Sequence, residues 1–122
     1  MSEEPIRTPN ERLEAAQEKV MELEARFKSF SQELSKEGAL SYKVKQLTAL
    51  GISVVKHCDP CMRAHAIHAF EAGASGEEII EACFMAVQMD GGPSMSRIKE
   101  TVLKIVEEYE NACSCYASEC PT

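Results

Sequence analysis

An all-α fold is predicted for this chain by three observations. Apolar residues recur at spacings of three and four, and no stretch alternates with the period of two that marks a strand. Hydroxyl residues followed by Pro or Glu open several of these stretches, as helix caps do. Gly38, Gly73 and the Gly91-Gly92-Pro93 run fall between them, where helices end. About five to six helices are expected in a single domain over residues 9–112, with an N-terminal extension at 1–8 and a Cys-rich tail at 113–122.

The first element starts at Thr8-Pro9-Asn10-Glu11, which combines a capping hydroxyl, a proline in the first turn and a Glu three residues after the cap. Leu13, Ala16, Val20, Leu23, Phe27, Phe30 and Leu34 then form a narrow apolar seam, with Gly38 as the expected stop. Such a seam packs on one surface only, either the body of the domain or a partner subunit. Ser41 is placed to cap a second helix with Val44, Leu47, Leu50, Val54 and Val55 on its apolar side, ending near His57. Gly51 in its middle leaves room for close helix contact. Pro60 suits the first turn of a third helix running toward Gly73 and disfavours helical geometry at Asp59. Ser75-Gly76-Glu77-Glu78 opens a fourth, which stops at Asp90-Gly91. Ser94 is the expected cap of the last, with Ile98, Val102, Ile105, Val106 and Tyr109 at helical spacing.

The chain has 122 residues, with 13 Lys and Arg against 20 Asp and Glu, a formal charge of −7. That balance argues against a nucleic-acid partner. At 44% apolar and 27% charged residues there is material for a core, though a domain this small gains from oligomerisation. No run is apolar for the roughly 20 residues a membrane span needs, and the polar MSEEPIRTPNER start does not resemble a signal peptide, so no membrane association and a cytoplasmic location are expected. In that setting the six cysteines read as redox or metal chemistry rather than as a disulfide framework.

The chemistry concentrates in Cys58-Asp59-Pro60-Cys61 with His65. Two sulfurs three positions apart can bond to each other, and a helix N-terminus stabilises thiolate through its partial positive charge and open N–H groups. His65 follows Cys61 by one helical turn, so its imidazole can take the thiol proton or pair with the thiolate.

The run KVKQLTALGISVV at 43–55, followed by HCDPCMRAHAIHAFEAGASGEEIIEACFMAVQMDGG at 57–92, resembles the carboxymuconolactone decarboxylase family, in particular its alkylhydroperoxidase D-like branch with Cys-x-x-Cys-x-x-x-His. The resemblance implies a helical fold, assembly into trimers or hexamers, and thiol redox chemistry. It makes Cys61 the attacking sulfur, Cys58 the resolving one and His65 the proton relay. Two departures shape the expected activity. Where the family's peroxidases carry a Glu twelve residues before the first Cys, this chain has Gln46, and an amide cannot take a proton. Where they often carry a His before the second Cys, it has Pro60. Both weaken hydroperoxide reduction more than thiol–disulfide exchange, which needs a thiolate and a resolving thiol. A disulfide reductase served by a thioredoxin-like or other thiol donor is therefore expected, with Gln46 orienting His65 or Cys58. No cofactor is expected, and the decarboxylase members generally lack the Cys pair.

Other residues have plainer roles. His57 reads as a helix-end contact or a proton shuttle beside Cys58, and His68 as a partly buried His two turns from the sulfur. Cys83, among Ile79, Ile80, Phe84 and Val87, reads as a small core residue. The rival to redox chemistry is a metal centre on His57, Cys58, Cys61 and His65. Cys113, Cys115 and Cys120 could relay electrons, bind metal or cross-link subunits.

Overall fold

A computed structural model describes residues 6–115 of the chain, with side chains through residue 112. The described residues contain helices and no strand, as the spacing of apolar residues requires. They belong to two compact units, Met1–Lys36 and Glu37–Thr122.

Among its described residues the first unit holds one helix, α1 (Pro9–Ser35). Thr8 accepts the Glu11 N–H and the Glu11 carboxylate accepts the Thr8 N–H, so both halves of the capping box form. The helix stops at Ser35, before Gly38, because Lys36 swings to extended geometry and closes the last turn on the Glu33 carbonyl. No residue of α1 is buried, and Leu13, Val20, Leu23, Phe27, Phe30 and Leu34 all stand exposed.

The second unit holds α2 (Tyr42–Val55), α3 (Asp59–Glu71), α4 (Gly76–Asp90) and a last rod in which α5 (Gly92–Arg97) passes through a π-helical turn (Ile98–Val102) into α6 (Leu103–Cys115). Ser41 caps α2 through the Val44 N–H, and Ser75 with Glu78 completes a second capping box on α4. Three boundaries of this unit differ from the sequence expectation. Helix α3 begins at Asp59, with Pro60 second, where its missing N–H is one that the helix could not have satisfied anyway. Ser94 does not cap the last rod; Gly91 does, Pro93 again stands second, and the Ser94 hydroxyl turns inward to donate to the Asp90 carboxylate at 2.7 Å. The rod continues through Cys113 to Cys115, where an aperiodic tail was expected. The side chains of Cys113 and Cys115, and all of Cys120, lie outside the described residues.

The core is formed by Leu50 and Val54 of α2, Met62, Ala66, Ala69 and Phe70 of α3, Ile79, Cys83 and Ala86 of α4, and Ile98, Val102 and Ile105 of the rod. Phe70 stacks on Tyr109 with ring centres 4.0 Å apart. Helices α2 and α4 approach closely because Gly51 has no side chain: a Cβ there would sit 3.3 Å from the Ala82 carbonyl oxygen. Gly51→Val, which adds two further methyl groups against rigid backbone, is expected to lower the unfolding free energy by about 1–3 kcal/mol. Urea denaturation of the parent and the variant measures this directly, and an unchanged midpoint at equal slope would show that the α2–α4 contact is not tight.

Candidate active site

The cysteine pair sits where α2 ends and α3 begins, and Cys58 serves both helices. The Cys58 N–H bonds to the Ser53 carbonyl and the His57 N–H to the Val54 carbonyl, the paired bonds that finish a helix when the residue after its cap turns left-handed. Cys58 is also the N-cap of α3, and its carbonyl accepts the Met62 N–H. A cysteine in that position brings sulfur where Ser or Asp would bring oxygen, and no side chain caps this end of α3. The first-turn N–H groups and the positive end of the helix dipole therefore face the sulfurs, the setting that favours thiolate.

Cys58 and Cys61 are joined as a disulfide, their Cα atoms 5.3 Å apart. Cys61 is exposed and Cys58 half-buried, so Cys61 is the more open residue of the pair. Asp59 between them is held from the last rod by Arg97 at 3.3 Å and by the Thr101 hydroxyl at 3.5 Å.

His65 lies one turn beyond Cys61 on α3 and is half-buried. Its Nδ1–H donates to Gln46 Oε1 at 2.8 Å, which joins α3 to α2. Because an amide oxygen can only accept, this bond places the ring proton on Nδ1 and leaves the Nε2 lone pair free. Burial first, and the neighbouring His68 second, hold the His65 pKa below its ordinary 6.5. The His68 ring meets it edge-on with centroids 6.3 Å apart. A ring that stays neutral at neutral pH, with a fixed tautomer and one open nitrogen, is equipped to accept a proton.

Gln46 is only 6% exposed, so the amide is a buried structural group and not a surface side chain. His57 points elsewhere, its Nε2 3.2 Å from Asp90 Oδ2. Cys83 is fully buried, and burial pushes its thiol pKa up to about 12, which leaves it inert as a nucleophile. Among the described residues no group of three or more His, Cys, Asp or Glu side chains is arranged to hold a metal ion, and the quartet His57, Cys58, Cys61 and His65 forms no such group. An apolar groove of about 370 Å³ runs between α2 and α4 past Gly51, Ile52, Met85 and Met89, and none of the four site residues lines it.

The sequence profile of the carboxymuconolactone decarboxylase family matches residues 21–102. The chain belongs to that family. A carboxymuconolactone decarboxylase family protein of Thermotoga maritima, for which a part in an antioxidative response is suggested, is 32% identical. Its TM-score is 0.67, over 72% of this chain and 90% of that one. The apo structure of a family member from Legionella pneumophila is 35% identical with a TM-score of 0.68, over 82% and 88%. Uncharacterized protein 4 in the cox locus of Paracoccus denitrificans is 30% identical over 70% of this chain and 77% of its own length. The family match covers the helix before the Cys pair, the pair itself and His65, so the Cys58–Cys61 disulfide lies within the matched region.

Sequence reasoning placed Cys58, Cys61, His65 and Gln46 in one neighbourhood. It did not find the contact of Asp90 with His57, nor the Ser94 hydroxyl that donates to Asp90. The signal for them was faint: a carboxylate at a helix end beside a Gly-Gly-Pro break reads as punctuation, and only the packing of α4 against α2 brings it to His57.

Proposed function

We propose that this family member is a thiol–disulfide oxidoreductase that reduces disulfides. Support comes above all from one observation: Cys58 and Cys61 are bonded to each other across the uncapped N-terminal turn of α3, with Cys61 exposed. In the dithiol form, Cys61 thiolate attacks one sulfur of a substrate disulfide and displaces the other as thiolate, giving a mixed disulfide. Cys58 then attacks the Cys61 sulfur, releases the second substrate thiol and forms the Cys58–Cys61 disulfide. Two electrons pass to the substrate, and its two sulfurs leave as thiols after protonation. His65, with its open Nε2, takes the Cys61 proton at the start and returns it to a leaving sulfur, while Gln46 holds the ring. A thioredoxin-like or other small thiol donor restores the dithiol.

Assembly as a homo-oligomer, a trimer or hexamer, belongs to the same proposal and is supported by the exposed apolar seam of α1. The reading is tested by turnover of a small aromatic disulfide with dithiothreitol or a thioredoxin as donor, with an organic hydroperoxide assayed in parallel. Turnover of the disulfide at a rate above that of the hydroperoxide is the expected result. Hydroperoxide reduction as the faster reaction would move the chain to the peroxidases, and no turnover of either would end the redox reading.

A further inference from the structure

Two helices of the second unit end with the same pair of backbone bonds, and they fill the left-handed position differently. At the end of α3, Gly73 takes φ 97°, with its N–H on the Phe70 carbonyl and the Ala74 N–H on the Ala69 carbonyl. That is the residue such a turn favours, since Gly has no Cβ to crowd the carbonyl. At the end of α2 the equivalent residue is His57, with φ 55°, and it is the only non-glycine residue with positive φ among those described. A side chain here costs local strain, and strain of this kind persists where surrounding contacts hold it. The contact is specific. His57 Nε2 meets Asp90 Oδ2 at 3.2 Å, and the same Oδ2 accepts the Ser94 hydroxyl at 2.7 Å. Ser94 is 0% exposed, so the far end of the chain of bonds is anchored in the interior. Ser94 and then His57 hold the Asp90 carboxyl below its usual range, consistent with a carboxylate whose one oxygen takes both contacts. The corner before Cys58 is thus tied to the corner between α4 and α5, while Asp59, just after Cys58, is tied to Arg97.

We propose that His57 is a positioning residue for the Cys58–Cys61 couple: through Asp90 and Ser94 it fixes the turn that carries Cys58, keeps the Cys58 sulfur beside Cys61, and so favours the disulfide over the dithiol. The inference rests on the thiol–disulfide reading of the site. A clamped turn raises the effective concentration of one sulfur at the other; a free turn lets them separate when reduced. The equilibrium concerned is dithiol protein plus glutathione disulfide against disulfide protein plus two glutathiones, in which two electrons and two protons leave the cysteine pair.

The full-length protein is equilibrated in glutathione buffers of graded ratio, quenched with acid and alkylated. The couple is then read on the tryptic peptide of residues 57–63, which Lys56 and Arg63 delimit and which carries both cysteines and no other. His57→Gly gives the turn its preferred residue while removing the clamp, so its thermal midpoint is expected at or above the parent's. Its equilibrium constant for disulfide formation should nevertheless fall about tenfold, which is ~30 mV toward the oxidising side. Asp90→Ala, which removes the acceptor oxygen, should produce a fall of the same order, and the double variant no further fall, because both break one chain of bonds. A constant for His57→Gly within twofold of the parent's overturns the proposal, as do two falls that multiply in the double variant. A parent peptide with no transition at all in these buffers overturns the thiol reading and this inference together, whereas a parent that titrates beside an unmoved His57→Gly overturns the inference alone.

Discussion

Cys61→Ser is expected to abolish disulfide reduction, with a loss of more than ~100-fold, since a hydroxyl beside a neutral imidazole is a far poorer nucleophile than a thiolate at a helix N-terminus. Cys58→Ser is expected to fail in a different way. It retains the attacking sulfur and lacks the resolving one, so the first half of the reaction proceeds and the second does not. A mixed disulfide with glutathione should then accumulate on the peptide of residues 57–63, at Cys61, and remain until an external thiol removes it. Mass spectrometry of both variants after exposure to glutathione disulfide separates the roles. The adduct forming in Cys61→Ser while Cys58→Ser stays unmodified would exchange them. The exposure of Cys61 and the half-burial of Cys58 are the reason to expect the first pattern.

The second large effect is expected from Gln46→Glu. The amide oxygen now accepts the His65 Nδ1–H in a buried setting, and His65 has its pKa lowered, by burial before any other cause. The ring therefore takes up its proton only at a lower pH than an ordinary imidazole does. The acid limb of the exchange rate should lie on the acid side of 6.5 accordingly. A carboxylate in place of the amide favours the imidazolium, raises the His65 pKa and moves that limb toward neutral pH. It also supplies a proton acceptor at the position where the family's peroxidases carry Glu. Organic hydroperoxide reduction should rise by about tenfold or more, within the range general acid–base groups contribute, while disulfide exchange near pH 8 changes by less than about threefold. Parallel pH–rate profiles with a hydroperoxide and a small disulfide decide this. If both activities change by the same small amount and the acid limb stays where it was, Gln46 has no part in the proton path.

Much of this was legible in the sequence because it is local. Thr8 with Glu11 and Ser75 with Glu78 are capping boxes written within four residues, and both form. The i, i+4 relation of Cys61 and His65 follows from helical geometry alone. The bond between Gln46 and His65 spans nineteen positions and was reached only through the family resemblance. What stayed hidden depends on tertiary approach. Ser94 looked like a cap because Ser commonly caps, yet Pro93 had already set the first turn, which freed the hydroxyl to bond Asp90. The π-helical turn at Ile98–Val102 left no mark, since Ile98, Val102 and Ile105 keep spacings that an ordinary helix also shows. His57 carried no sign of its left-handed backbone, because that conformation is normally announced by Gly.

The buried Gln46 also acts as a register pin. Apolar side chains such as Leu50 and Val54 tolerate small slides of one helix along another, since one methyl group is much like the next. A buried amide does not: displaced along α2 relative to α3 by even one residue, Gln46 would lose its imidazole partner and leave polar atoms with neither water nor a hydrogen bond, at a cost of ~1–3 kcal/mol. The bond that sets the tautomer of His65 thereby rejects alternative packings of α2 on α3, and the alignment of these two helices is chosen at the same point where the proton is placed.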